Sequence, residues 1–124
     1  MIQADSGTED IAELFRVIGH PSRLTLLLAL VAGEHGVGAL EQTTGIGQPS
    51  LSQQLGVLRK ADLVVTRREA KQVFYSLNPE VLHVVRETIG KLCRAADERN
   101  PVVSASATSG PVGAAMFARV TPRP

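Results

Sequence analysis

Apolar residues at Ile11, Leu14, Phe15 and Ile18 recur at i, i+3, i+4 and i+7, a single stripe that predicts an amphipathic helix from Glu9 to about Ile18. Thr8 stands where its N-cap is expected, Glu9 and Asp10 suit the positive end of the helix dipole, and Gly19 ends the run. His20-Pro21 then opens a second helix, with His20 as cap and proline at the first helical position, where its missing N–H costs nothing. This helix reaches about Ala32 and is apolar nearly all round (Leu24, Leu26, Leu27, Leu28, Leu30, Val31), the pattern of the central buried helix of a small domain. Gly33 stops it, and His35 is read as a loop residue.

A short helix is expected over Val37–Thr43, followed by a tight turn, Thr44-Gly45-Ile46-Gly47. Gln48-Pro49-Ser50 repeats the cap-then-proline signature and begins a helix to about Lys60, with Leu51, Leu55 and Leu58 directed inward. The period then changes. Leu63–Arg68 and Gln72–Leu77 are β-branched and aromatic, joined by Glu69-Ala70-Lys71, and predict a hairpin in which Val73, Tyr75 and Leu77 share a side. Asn78-Pro79 breaks the strand, and a last helix over about Pro79–Ala96 carries Val81, Val84, Val85, Ile89 and Leu92. The organisation is therefore an N-terminal arm over 1–8, a folded domain over 9–99, and a Pro-, Gly-, Ser- and Ala-rich segment over 100–124 read as a disordered tail.

Composition narrows the class. With 124 residues there is room for one domain, and with three Phe, one Tyr and no Trp its core must be aliphatic. The longest apolar run, Leu26–Ala32, is seven residues, far short of the roughly 20 needed to span a bilayer. The N-terminus lacks the basic and apolar regions of a signal peptide, so a cytoplasmic protein with no membrane association is expected. One cysteine, Cys93, excludes an intrachain disulfide and a cysteine-based zinc ribbon. The net charge of +1 conceals an acidic start, −4 over residues 1–15, and a basic centre, +3 over residues 48–75.

Two helices joined by a glycine-containing turn and followed by a two-stranded ribbon form a winged helix-turn-helix, here mainly α with a β-hairpin wing. The helix over 49–60 presents amides and hydroxyls near its N-terminus: Gln48, Ser50, Ser52, Gln53 and Gln54, with Arg59 further on. Glutamine can bond adenine in bidentate fashion, and serine can donate or accept at base edges and phosphates. Arg67, Arg68 and Lys71 on the ribbon offer charge to the DNA backbone. Such a helix face alone is usually a solvated one; the turn before it and the basic ribbon after it make double-stranded DNA the expected partner. No nucleophile–base pair, phosphate loop or metal cluster is apparent, and neither an enzyme nor a cofactor is expected.

Four stretches carry a closer likeness: His20–Leu24, Gly36–Leu40, Gln48–Arg59 and Leu63–Tyr75. Over about residues 9–95 the chain resembles the ArsR/SmtB family of dimeric winged-helix repressors, which release operator DNA when an inducer binds. The resemblance implies base contacts from Gln48, Ser50, Ser52, Gln53 and Gln54, wing contacts from Arg67, Arg68 and Lys71, and a homodimer formed by the first and last helices.

Members of that family differ in where the inducer binds. Residues 36–44 hold no cysteine, which removes the arsenic-type site. Glu80, His83 and Glu87 share a face of the last helix, but their spacing does not match the family's zinc ligands, and a solvated face is the simpler reading. The wing and recognition helix are most similar to the persulfide- and redox-responsive branch, which implies one cysteine on the second helix and one on the last. Cys93 matches the latter, whereas Leu28 stands at the position matched to the former. The expected function is thus an ArsR-type repressor of an inverted-repeat operator, with Cys93 as candidate for a persulfide or oxidant signal. A winged-helix protein-interaction module, or a regulator without thiol or metal sensing, is the alternative.

Overall fold

The structure, a computed structural model, describes residues 7–99. Most of the expected arm and the whole of the expected tail, 1–6 and 100–124, lie outside the described residues. The first helix, α1 (Thr8–Ile18), begins one residue early: Gly7, extended at φ −72° and ψ 172°, is its N-cap, and its carbonyl accepts the Ile11 N–H at 3.2 Å. Thr8 therefore sits inside the first turn and makes no side-chain cap. His20 does cap α2 (Pro21–Ala29), its Nδ1 accepting the Ser22 N–H at 3.2 Å. A 3-10 turn over Leu30–Ala32 continues α2 to Gly33, whose φ of 134° ends the run.

The second helix is not buried all round, as its composition suggested. Leu26, Leu27 and Leu30 are buried, but Leu24, Leu28 and Val31 are 41%, 62% and 69% exposed. The reason is geometric: α1, α3 (Val37–Thr44) and α4 (Ser50–Lys60) pack on one side of α2 and leave an uncovered stripe at i, i+4 and i+7 on the other. The core is aliphatic throughout, with Leu14, Leu26, Leu40, Leu51, Leu55, Leu58, Leu63 and Val64 fully buried.

His35 is not in a loop. With Gly36 it forms a two-residue strand, β1, paired antiparallel to β3 (Gln72–Leu77), which in turn pairs with β2 (Val64–Glu69) in the order β1-β3-β2. Two residues are too few to leave an alternating signature, so this strand is invisible as a pattern. The hairpin link is shorter than expected because Glu69 still pairs with Gln72, leaving Ala70 and Lys71 as the turn, with Ala70 at φ 57°. Tyr75 and Leu77 pack against the core, while Val73 lies further out along the wing. Asn78 then joins wing to helix: its Nδ2 donates to the Asp62 carbonyl at 2.8 Å and its Oδ1 accepts the Glu80 N–H at 3.1 Å, capping α5 (Pro79–Arg99). Among the described residues, those up to Glu87 form one compact unit, and Thr88–Arg99, the C-terminal half of α5, belong to a second. No single helix among them is long and apolar enough to cross a membrane.

Candidate nucleic-acid interface

The turn between α3 and α4 is built by local bonds. Gly45 takes the left-handed conformation, φ 77°, and its N–H closes on the Glu41 carbonyl at 2.8 Å. Thr44 Oγ1 donates to the Leu40 carbonyl at 2.7 Å and accepts the Ile46 N–H at 3.2 Å. Pro49 is the N-cap of α4 rather than its first residue, and the Gln48–Pro49 bond is cis. Gln48 supplies the missing cap, its Oε1 accepting the Ser52 N–H at 3.2 Å. Part of its amide is thus committed to the helix start.

Leu51, Leu55 and Leu58 face inward, which sets the outward line of α4 at Gln53, Gly56 and Lys60, spaced i, i+3 and i+7. Ser52, Gln53, Arg59 and Lys60 are exposed, and Ser50 is half-buried. Gln54 is turned inward instead: half-buried, its Oε1 accepts from Arg23 Nη1 at 2.9 Å, while Arg23 Nε donates to the Val17 carbonyl at 2.8 Å. Lys60 escaped the sequence reading although the helical period alone places it on the line of Gln53.

Gly56 has open space where a Cβ would sit, so no neighbour among the described residues requires glycine there. It keeps the centre of the outward face low, which suits close approach of that face to another surface. Gly56→Ala is expected to raise stability by about 0.5–1 kcal/mol through helix propensity, as read by urea unfolding. A loss would mean that an intramolecular contact occupies that space.

The cations of the wing differ in their partners. Arg67 is held by carboxylates, Nε and Nη2 donating to Glu34 at 2.8 and 2.7 Å and Nη1 to Glu69 at 2.8 Å, with its guanidinium 4.8 Å from the Phe74 ring centroid. These bonds hold the Glu34 carboxyl below its ordinary range and push the Arg67 guanidinium up, Glu34 first and Glu69 second. Arg68 and Lys71 are exposed and pair with no carboxylate among the described residues.

On α5, His83 Nε2 lies 3.9 Å from Glu87 Oε2, both exposed, and no group of three or more His, Cys, Asp or Glu among the described residues could hold a metal. Cys93 is a free, exposed thiol.

Comparison with known proteins matches residues 20–66, from the α2 cap through α4 into β2, to the family described as "Bacterial regulatory protein, arsR family". Over 103 residues the chain is 36% identical to the nodulation protein NolR of Rhizobium meliloti, covering 80% of this chain and 84% of that protein. The chain belongs to the arsR family. Within it, the chain is similar to the biofilm growth-associated repressor of Xylella fastidiosa, 57% identical over 68 residues, or 55% of this chain. That match spans 60% of the relative's length. The crystal structure of the transcriptional repressor BigR from Xylella fastidiosa superposes with a TM-score of 0.58 at 46% identity, covering 70% of this chain and 87% of that one. Its likeness to this arsR-family chain extends to the fold: a mainly helical winged helix-turn-helix.

Proposed function

We propose that the chain is a DNA-binding transcriptional repressor that acts as a homodimer on an inverted-repeat operator. The observation that carries this reading is the outward flank of α4. Ser52, Gln53 and Lys60 are exposed on a helix whose opposite side is buried in the core, and among the described residues the amide and hydroxyl have no side-chain partner, which suits them to base edges. Ser50 and Arg59 flank them, Gln48 and Gln54 are partly engaged within the subunit, and Arg68 and Lys71 supply phosphate contacts from the wing. The family relationship supports the same role.

The family likeness implies that the first and last helices, α1 and α5, pair across the dimer, and we infer that the second copy also covers exposed apolar side chains, Leu24, Leu28 and Val31 on α2 and Ile89 and Leu92 on α5. A two-fold dimer would read half-sites about 34 Å apart, one turn of the duplex. Because Cys93 is the sole cysteine, any thiol signal acts by modification at that one sulfur or by a bond to another molecule.

The test is a gel-shift titration and footprint on the DNA upstream of the chain's own gene. Protection of two half-sites one turn apart is expected, with affinity falling steeply with salt. Equal binding to that fragment and to unrelated DNA would remove the repressor reading.

A further inference from the structure

Among the cations of the wing, Arg67 stands apart because three of its five N–H groups already donate to carboxylates. Strand alternation puts Val65, Arg67 and Glu69 on one face of β2, and register places Arg67 opposite Phe74 and Phe74 opposite Gly36. Glu34 immediately precedes β1, so the Glu34–Arg67 fork reaches from the β1 end of the sheet across β3 to β2. The Phe74 ring lies beneath the guanidinium, 4.8 Å away, and beside Gly36. Since α3 starts at Val37, directly after β1, the same bond ties the wing to the helix-turn-helix.

The local charge runs against a direct role at phosphate. Arg67 contributes one positive charge and Glu34 and Glu69 two negative ones, so the cluster is net negative and presents no attraction to phosphate. Arg68 points to the opposite face of β2, and neither it nor Lys71 has a carboxylate partner among the described residues.

We propose that Arg67 is a positioning residue: with Glu34 it straps the three strands together and aims the wing, so that Arg68 and Lys71 meet the DNA backbone. Bidentate arginine–carboxylate geometry, a second carboxylate and a ring beneath the cation make this a network rather than an isolated surface pair. The proposal rests on the DNA-binding reading above for its consequence, but the strap itself can be measured without DNA.

The sign of one substitution separates strap from phosphate contact. Glu34→Ala removes a negative charge, which would strengthen binding to a polyanion if Arg67 were thereby freed to touch it. The strap requires the reverse: weaker operator binding, on the order of 3- to 30-fold, despite the added positive charge. Arg67→Ala should weaken binding by a similar factor, and the double variant no further. Arg67→Lys should fail to restore affinity, because an ammonium cannot make the fork. In the free protein, amide hydrogen exchange should quicken over residues 64–77 in both single variants, with the Leu51–Leu58 amides unchanged. Tighter binding by Glu34→Ala, additive single effects, rescue by Arg67→Lys, or unchanged wing exchange would each overturn the strap. Absence of specific binding by the wild-type chain would instead overturn the repressor reading, leaving the exchange experiment to decide the strap.

Discussion

Leu51→Ala is expected to cost about 2–5 kcal/mol of folding stability, the sum of a deleted isobutyl group and the cavity it leaves. Leu51 is fully buried on the inner face of α4, beside Leu55 and Leu58, where that helix is seated on the rest of the core. Against a typical domain stability of roughly 5–15 kcal/mol, the change would lower the melting temperature by about ten degrees or more. Leu28→Ala removes the same group from a site 62% exposed. In an isolated subunit its effect should stay within about 0.5 kcal/mol. If a second copy covers Leu28, the loss is larger and the melting temperature of the wild-type chain rises with protein concentration. Circular dichroism melts of both variants at two concentrations a hundredfold apart check each statement. A loss below about 1 kcal/mol for Leu51→Ala would contradict the packing of α4.

Much of this architecture is written in residue spacing. Leu51, Leu55 and Leu58 at i, i+4 and i+7 set which side of α4 is buried, and the change of period at Leu63 marks where helix gives way to wing. The His20 cap and the left-handed Gly45 are equally local, each fixed by a neighbour two to four residues away. Such features depend on chemistry within one turn, and one turn is what a sequence displays.

What spacing conceals are partners distant in the chain. Arg67 and Glu34 are 33 residues apart and Arg23 and Gln54 are 31 apart, and nothing in either segment announces the other. Hence Gln54 and Arg67 read as free polar groups on exposed faces, whereas both are engaged within the subunit. The apolar face of α2 misled in the opposite direction. Composition records that Leu24, Leu28 and Val31 avoid water, but not whether this subunit or another surface covers them. Glycine at the N-cap of α1 in place of the expected Thr8 is a one-residue matter, since either residue type serves there and the hydroxyl makes no cap bond.

Gln53→Ala should separate base reading from backbone attraction more cleanly than any other single change. Gln53 is exposed on the outward line of α4, and an amide there can make two bonds to one adenine. Losing them should cost about 1–3 kcal/mol at the cognate operator, roughly a 5- to 160-fold rise in Kd. Binding to unrelated DNA should hardly change, because that term is electrostatic and the substitution moves no charge. The slope of log affinity against log salt should likewise be that of the wild-type chain. Arg68→Ala must behave in the complementary way, weakening all sequences alike and flattening the slope by about 0.9 for the one phosphate it leaves unneutralised. Fluorescence anisotropy on operator and scrambled duplexes, each at several salt concentrations, measures all four quantities. An equal loss on both duplexes for Gln53→Ala would place that side chain on the backbone, and the recognition flank of α4 would have to be sought elsewhere along the helix.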